Sequence, residues 1–435
     1  MEYVFSVLLG TIAGILIGLL PGVGTSSFLL FISFLILDQS LLFYIIFYST
    51  LASVSQYFGS ITTLSFGIPG ETTSLPLLSI RDKILQSNRV NEAHFLCAYG
   101  SLIASVISLL SMYILIDIFL QSIFYIKTYV ILICSGMGII LCILYSNNKK
   151  IVSIFLIILG WLSSKIGYDP IYDLTFLTFD NIYLYSGIPI LPVLLGIYAI
   201  PNMLKASYNL KTLVIENTTT KDRNIQNMLT IRYIFSIIRG TTVGFISGLI
   251  PYTGNSLSSY LAFLIEKKFK PNNHMCQATA AESANNAANI SVLIPLLLLG
   301  IAIVPSEFIL LELINSSAKV SPWKTIVENI NILAVCILVA NIIAFIVSWK
   351  CLTNIEFLLS KIKIWLLASI VLLIIISVYL IGYDNGQEMY YLVILSVFTI
   401  LGMLLKTYDL LPFVYAFLLQ NNIEQILYRF FKIYL

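Results

Sequence analysis

Long apolar runs separated by short polar turns recur from one end of the chain to the other. Some are close to the roughly 20 residues that a helix needs to cross a bilayer, and others are too short to span it alone. We therefore predict an all-α polytopic integral membrane protein of about ten to twelve transmembrane segments, with half-helices among the short runs. The apolar runs lie near residues 4–20, 28–50, 94–120, 126–146, 151–164, 187–204, 233–250, 256–265, 290–311, 329–349, 364–382, 389–405 and 410–420.

One segment near the start of the chain returns in its second half. Residues 10–26 read GTIAGILIGLLPGVGTS, and residues 240–256 read GTTVGFISGLIPYTGNS. Paired apolar segments that Gly and Pro interrupt at corresponding places are typical of transporter binding sites. The sequence thus predicts two repeat halves, 1–204 and 233–435, joined by the polar linker 205–232. The ungapped alignment is identical at Gly10/Gly240, Thr11/Thr241, Gly14/Gly244, Gly18/Gly248, Leu19/Leu249, Pro21/Pro251, Gly24/Gly254 and Ser26/Ser256.

Each repeat segment has two mechanical parts. The glycines recur at every fourth residue, so they form a stripe on one helix face that lets a neighbouring helix approach closely. The Pro and Gly residues that follow cannot continue a helix, because Pro lacks a donor and clashes with the preceding turn while Gly adds chain entropy. We therefore expect each helix to end inside the membrane, as a broken or re-entrant helix.

The distribution of charge orients the two halves. Basic residues mark the loops 81–89 and 147–150 and the linker as cytoplasmic, whereas the acidic segment 165–180 is predicted to be external. The loop 267–270 after the second repeat segment is rich in Lys, but its counterpart around Asp38 has no basic residue. Equivalent loops of opposite charge bias predict that the halves are inverted-topology repeats.

Composition narrows the class of function. Apolar residues make up 59% of the 435 residues and charged residues 10%, and the mean hydropathy is +0.95, far from soluble averages. The net charge of +3 is spread over short loops, so no nucleic-acid partner is expected. No Lys or Arg precedes the first apolar run, so we expect no cleaved signal peptide. The six cysteines show no paired metal spacing, and we predict no metal site.

Each half carries a second unusual segment, which is polar in apolar surroundings. In the first half residues 56–74 read QYFGSITTLSFGIPGETTS, and in the second half residues 281–301 read AESANNAANISVLIPLLLLGI. Polar side chains are expensive against lipid, so these should face a cavity or each other. Glu282 and Asn285, with Asn286 and Asn289, fall near one face of a helix.

This chemistry suits a small anion that is carried together with a cation. The ends of broken helices offer N–H groups to a carboxylate and free carbonyls to Na⁺. Glu282 is predicted to be a cation ligand or a proton carrier. No Lys or Arg lies within the segments, so neutralisation would depend on helix dipoles and co-bound cations. The residues predicted to bind substrate or ion are Gly22, Gly24, Thr25, Ser26, Gly59, Ser60, Thr62, Thr63, Pro69, Gly70, Gly254, Asn255, Ser256, Glu282, Ser283, Asn285, Asn286 and Asn289.

Together these segments resemble the large membrane subunit of the tripartite tricarboxylate transporters. The resemblance covers roughly residues 5–110 and 235–315, and the family's Pro-Gly-x-Gly turn is changed at residues 251–254. The motifs that carry it are the Gly-Pro-rich segment Gly14 to Gly24, Tyr57-Phe58-Gly59-Ser60-Ile61-Thr62, Gly67-Ile68-Pro69-Gly70, Glu282 to Ala287, and Pro295-Leu296 with Leu299-Gly300-Ile301.

The resemblance implies a multi-pass permease of the inner (cytoplasmic) membrane that moves tri- or dicarboxylates. It implies transport driven by a Na⁺ or proton gradient, with no other cofactor and no enzymatic activity. The partners implied are a small membrane subunit and a periplasmic solute-binding protein. Two alternatives stay open, a lipid-linked saccharide flippase, which should expose a central cationic cavity, and an intramembrane polysaccharide-polymerising enzyme, which should have a long external catalytic loop. A structural subunit without transport activity of its own is a further reading.

Overall fold

The computed structural model describes much of the chain, and its described residues fall into two units. The first comprises Met1–Leu29, Ile36–Ile123 and Ala206–Ile364, and the second Leu30–Leu35, Phe124–Lys205 and Trp365–Leu435. Each unit draws on both predicted halves, and most of the predicted linker lies outside the described residues, so the division into halves stays a prediction. Described are residues 2–20, 25, 28–29, 39–66, 72–145, 148–169, 174–189, 192–193, 195–201, 204, 231–250, 254–299, 328–352, 354–355, 386–405 and scattered positions within 302–314 and 371–417.

Helices dominate the described residues, as predicted. Besides α-helices, the described residues include π-helices at Thr62–Phe66 and Leu195–Ala199 and a 3₁₀ turn at Thr72–Ser74. They also include a β-hairpin in the segment predicted to be external. In it β1 (Gly167–Asp169) pairs antiparallel with β2 (Leu174–Phe176). The helices are α1 (Glu2–Leu19), α2 (Leu41–Ile61), α3 (Leu75–Gln86), α4 (Val90–Tyr145), α5 (Lys150–Ser164), α6 (Ile182–Tyr185), α7 (Ile231–Gly248), α8 (Gly254–Phe269), α9 (His274–Ser291), α10 (Leu293–Leu299), α11 (Ile330–Lys350) and α12 (Glu388–Leu404).

Local signals explain several helix starts. The Ser40 side chain accepts a hydrogen bond from the Phe43 amide at 3.2 Å, which starts α2 inside the apolar run 28–50. Asn273 caps α9 in the same way, accepting from the Cys276 amide at 3.1 Å. The runs 94–120 and 126–146, expected as separate segments, belong to the single helix α4.

Four helical stretches in the described part of the chain are long and apolar enough to cross a membrane. They are Glu2–Leu19, Leu41–Ser65, Val90–Ile116 and Ile330–Lys350. Two shorter apolar helices are α5 and α12. The chain is therefore a helical membrane protein, and the total of ten to twelve crossings stays a prediction.

The glycine stripes of α1 and α7 each lie against one helix, α2 and α9 respectively. A Cβ added at any of the six glycines would overlap the partner helix, which confirms the predicted close approach. The two helix pairs have the same register, since each glycine faces the residue 40 positions further along the chain. The contacts are Gly10 with Thr50, Gly14 with Val54, Gly18 with Phe58, Gly240 with Ala280, Gly244 with Ala284 and Gly248 with Ala288.

The second unit also packs through glycines. Gly196, in the π-helix Leu195–Ala199, lies against the backbone of Leu395 in α12, and Gly402 of α12 lies against the Ile197 carbonyl. A side chain at either position would push the two elements apart. The predicted site residues that the structure describes all lie in the first unit.

Candidate functional site

Helix α2 is buried along almost its whole length. Every residue from Leu42 to Ile61 is inaccessible or nearly so. The apolar side chains fill the interior, and Ser53, Gln56 and Tyr57 are buried with them. Buried polar groups need hydrogen-bond partners, so the contacts of these three residues show which other elements α2 is bonded to.

Helix α9 is the most polar element of the interior. Its residues from Met275 to Ser291 are all buried. The side chain of Glu282 is fully inaccessible, and so are those of Asn285 and Asn286. The expectation that these side chains face one another or a cavity, and not lipid, is confirmed for the described residues.

The two buried helices meet at a polar contact that we call the α2–α9 crossing. Asn285 Nδ2 donates to Gln56 Oε1 at 2.7 Å, and Asn289 Nδ2 donates to the Ala52 carbonyl at 2.6 Å. Thr73 Oγ1 also donates to Gln56 Oε1, at 2.9 Å. One turn forward in α2 is matched by one turn backward in α9, so the helices run antiparallel at this point.

Several oxygen atoms beside the crossing accept no hydrogen bond from the described residues. They include both carboxylate oxygens of Glu282 and the Oδ1 atoms of Asn285 and Asn286. Asn285 lies three residues after Glu282 on α9, and its Nδ2 donates to Gln56. A buried acceptor without a donor lowers the stability of the fold, so a group of them on neighbouring residues of α9 marks a candidate site.

Other predicted residues of the second half divide into two groups. Asn255, near the start of α8, joins the crossing because its Nδ2 donates to Asn289 Oδ1. Ser283 does not, since its hydroxyl donates to the Thr279 carbonyl at 2.8 Å and it lies against Gly100 of α4. Helix α8 begins at Gly254, and Ser256 follows in its first turn.

Three hydroxyls of the first half bond backbone carbonyls of their own segment. Thr62 and Thr63 Oγ1 donate to the Gly59 carbonyl at 2.9 and 2.8 Å, and Ser60 Oγ donates to the Tyr57 carbonyl at 2.8 Å. These local bonds give hydrogen-bond donors to backbone carbonyls at the point where α2 ends and the π-helix Thr62–Phe66 begins. Thr25 is buried. Gly22, Gly24, Ser26, Pro69 and Gly70 lie outside the described residues.

Two buried clusters were missed in the sequence. Asn341 Oδ1, in the middle of α11, accepts from Ser53, Tyr57 and Ser105 at 3.0, 2.9 and 2.9 Å and so ties α2, α4 and α11 together. The sequence signal that could have revealed Asn341 is an isolated Asn within an apolar run. In the second cluster the guanidinium of Arg239, on α7, pairs with the buried carboxylate of Glu266, on α8, at 2.7 Å.

A cavity of about 570 Å³ lies where α9 begins. Arg89 keeps its charge there, because a hydrogen bond from its Nε to Glu92 at 2.6 Å raises the pKa of the guanidinium. Arg239 and Lys270 both pair with Glu266 nearby. The lining residues are Lys83, Ile84, Ser87, Arg89, Lys270, Pro271, Asn272, Asn273, His274 and Met275.

The described residues contain no group of three or more His, Cys, Asp or Glu side chains that could hold a metal ion. The oxygen atoms beside the crossing come from one carboxylate and neutral amides. Such a set suits a hard monovalent cation or a proton, and not a transition metal.

Apolar helices of membrane-spanning length around a buried polar crossing define an integral membrane protein with an internal polar site. The chain belongs to the Tripartite tricarboxylate transporter TctA family, whose model matches residues 4–415. The resemblance seen in the motifs is therefore confirmed. The family is one of transporters and not of enzymes.

A curated relative supports the same family. The chain is similar to the "Uncharacterized 52.8 kDa protein in TAR-I ttuC' 3'region" of Agrobacterium vitis, with 24% identity over 310 residues. The match covers 67% of this chain and 59% of the relative, so the chain spans less than two thirds of that protein's length. No solved structure matches the chain.

Proposed function

We propose that the chain is the permease subunit of a carboxylate transporter, with its binding site at the α2–α9 crossing. The observation that carries the proposal is the antiparallel contact of two buried polar helices through Gln56, Asn285 and Asn289. Amide groups both donate and accept, so the same side chains can hold a carboxylate and a cation. The substrate would be a small tri- or dicarboxylate.

The register of the glycine stripes supports an inverted repeat. Since Gly14 faces Val54 and Gly244 faces Ala284, α2 and α9 are equivalent helices of the two halves. Equivalent helices of inverted repeats run in opposite directions, and the two contacts of the crossing require this of α2 and α9. A pseudo-two-fold axis would pass through the crossing.

The position of the crossing along both helices supports a site at the bilayer midplane. The contacts lie 11 and 15 residues after the first residue of each helix, Leu41 in α2 and His274 in α9. At 1.5 Å per residue this is about 16 to 22 Å, near half of a bilayer that measures about 40 to 45 Å with its headgroup regions. With the two helix starts at opposite membrane faces, the crossing is reached from both sides over similar lengths.

The charges near the site support coupling to a cation gradient. Among the described residues at the crossing there is no Lys or Arg, and the nearby Arg239 is paired with Glu266. A di- or tri-anion bound there would need compensating charge, which co-bound Na⁺ or H⁺ supplies. This favours a secondary symporter over a uniporter.

The basic cavity at the start of α9 fits the cytoplasmic mouth of the path. Its walls come from residues 83–89, at and after the end of α3, and from residues 270–275, between α8 and the first turn of α9. The basic residues in and beside both stretches favour the cytoplasmic side. Helix α9 then leads from this cavity to the crossing. The basic side chains lie at helix ends and not at the crossing, which disfavours a flippase with a central cationic cavity.

The family supports the remaining assignments. A tripartite system implies a small membrane subunit and a solute-binding protein outside the cytoplasmic membrane as partners. We place the chain in the cytoplasmic membrane as a multi-pass subunit. No cofactor is needed beyond the coupling ion.

Uptake of labelled citrate and C4-dicarboxylates into proteoliposomes tests the proposal. The chain is reconstituted with and without co-purifying proteins, and Na⁺ and proton gradients are imposed separately. Asn285→Ala should lower gradient-driven uptake at least about tenfold, because it removes the amide that bridges to Gln56. Ser108→Ala is the matched control, since Ser108 is buried in α4 and has no bond to the crossing.

Gradient-dependent uptake of either anion class that is lost in Asn285→Ala and kept in Ser108→Ala would support the proposal. Absence of such uptake in both preparations, or full uptake by Asn285→Ala, would overturn it.

A further inference from the structure

Five buried oxygen atoms on residues of α9 and on Ser74, next to Thr73 of the crossing, have no hydrogen-bond donor among the described residues. They are Glu282 Oε1 and Oε2, Asn285 Oδ1, Asn286 Oδ1 and Ser74 Oγ, none of which is hydrogen-bonded within the described residues. Each of the four residues has at most 1% of its surface exposed. Water therefore does not satisfy these atoms from bulk solvent.

The helix register relates the three residues of α9 to Gly59, and a separate contact relates Ser74 to Gly59. Gln56 contacts Asn285 and Ala52 contacts Asn289, so continuing the antiparallel register by three residues sets Gly59 opposite Glu282. A Cβ at Gly59 would meet one atom within 4 Å, Ser74 Oγ at 3.6 Å. Among the described residues, no other atom would lie within 4 Å of that Cβ, so they leave space beside Gly59 next to the Ser74 hydroxyl.

The chemistry of these atoms selects the ligand. They are acceptors, apart from the Ser74 hydroxyl, so a carboxylate substrate would be repelled there. A proton would satisfy Glu282 but would leave the two amide oxygens without a donor. A hard cation with five or six oxygen ligands satisfies all of them, and one carboxylate balances one positive charge.

We propose that Glu282, Asn285, Asn286 and Ser74 form a Na⁺ site in the space beside Gly59. The inference rests on the proposed function only in naming Na⁺ as the coupling ion, since the site itself follows from the unpartnered oxygens. The Asn285 amide links the ion to the crossing, because its oxygen binds Na⁺ while its Nδ2 points to Gln56. Na⁺ would thereby fix the donors that a carboxylate needs.

Thermal unfolding of the purified protein tests the site without any carboxylate. The melting temperature is measured against NaCl concentration, with choline chloride holding the ionic strength constant and with KCl in parallel. Bound Na⁺ should raise the melting temperature by about 3 °C at saturation, whereas K⁺ should not reproduce the shift. The titration is repeated between pH 6 and pH 8 to separate Na⁺ from protons.

Three variants locate the effect. Glu282→Gln removes the charge and should raise the half-maximal Na⁺ concentration at least about tenfold. Gly59→Ala removes no ligand and its Cβ is tolerated sterically at 3.6 Å from Ser74, yet it should weaken Na⁺ binding by filling the space. Ser108→Ala, another buried unpartnered hydroxyl, should leave the Na⁺ effect unchanged.

A Na⁺ shift that is weakened in the first two variants and kept in the control would support the site. An equal shift with K⁺, a shift that follows pH and not Na⁺, or an undiminished Na⁺ shift in Glu282→Gln would overturn it. This test is independent of the proposed carboxylate transport. Stabilisation by Na⁺ without carboxylate uptake would support the cation site and contradict only the proposed transport function.

Discussion

Asn341 is expected to hold the interior together, and its replacement by Leu gives a quantitative test. Leu has nearly the shape of Asn, so the change removes hydrogen bonding and creates little cavity. In the native structure Asn341 Oδ1 accepts from three hydroxyls on two other helices. The variant leaves these donors in a buried, apolar surrounding.

The size of the effect follows from which donors lose their acceptor. Ser105 keeps one, because its hydroxyl also donates to the Ser101 carbonyl at 2.8 Å. Ser53 and Tyr57 lose the bond to Asn341, and a buried unsatisfied donor costs about 1 to 3 kcal/mol. Hydrogen bonds between membrane helices are weaker on average, so we expect Asn341→Leu to lower the free energy of unfolding by about 2 to 4 kcal/mol.

Reversible unfolding in mixed micelles measures this loss. Ser348→Ala on the same helix is the control, since the Ser348 hydroxyl donates to the Phe345 carbonyl of that helix. This change should lower the free energy of unfolding by no more than about 0.5 kcal/mol. Tyr57→Phe added to Asn341→Leu should recover about 1 kcal/mol by removing an orphaned donor. The reasoning fails if Asn341→Leu costs no more than the control, or if Tyr57→Phe further destabilises it.

Two further predictions concern packing and topology. Gly244→Val should destabilise the protein by at least about 3 kcal/mol, since even a Cβ at Gly244 overlaps the backbone of Ala284. Gly136→Ala should be neutral in the same unfolding assay, since a Cβ there meets no atom of the described residues within 4 Å. Single cysteines at Asp38 and Lys268 should be labelled by an impermeant thiol reagent from opposite faces of the membrane; labelling of both from one face would refute the inverted repeat.

Much of the framework could be predicted because its signals are local. A glycine at every fourth position defines a helix face whatever lies elsewhere in the chain, and the stripes of α1 and α7 do pack as that pattern requires. The polar run from Glu282 to Asn289 likewise predicts burial against other polar groups. The helix starts at Ser40 and Asn273 were not predicted, although both are ordinary capping residues.

The partners of polar side chains were not predictable, because they come from distant parts of the chain. Asn341 is 288 residues from Ser53 and 236 from Ser105, and its local pattern would be the same in a lipid-facing helix. Thr62 and Thr63 resembled lining residues, but a hydroxyl can bond a carbonyl of its own helix, and both do so at Gly59. Sequence pattern identifies the polar helix and leaves the direction of its donors open.

The proposed repeat accounts for the presence of only one carboxylate, that of Glu282, among the described residues beside the crossing. In the alignment Glu282 corresponds to Ala52, and Asn289 corresponds to Gly59. If the crossing were fully symmetric, a second carboxylate would stand near the same axis, and two buried like charges would repel strongly. In the proposed repeat the two helices instead differ, since α9 carries the carboxylate and the amides, whereas α2 carries Ala52 and Gly59 at the equivalent positions. A single cation at the proposed site would then neutralise the Glu282 carboxylate, and a pseudo-two-fold axis through the crossing would let the site open to either side of the membrane.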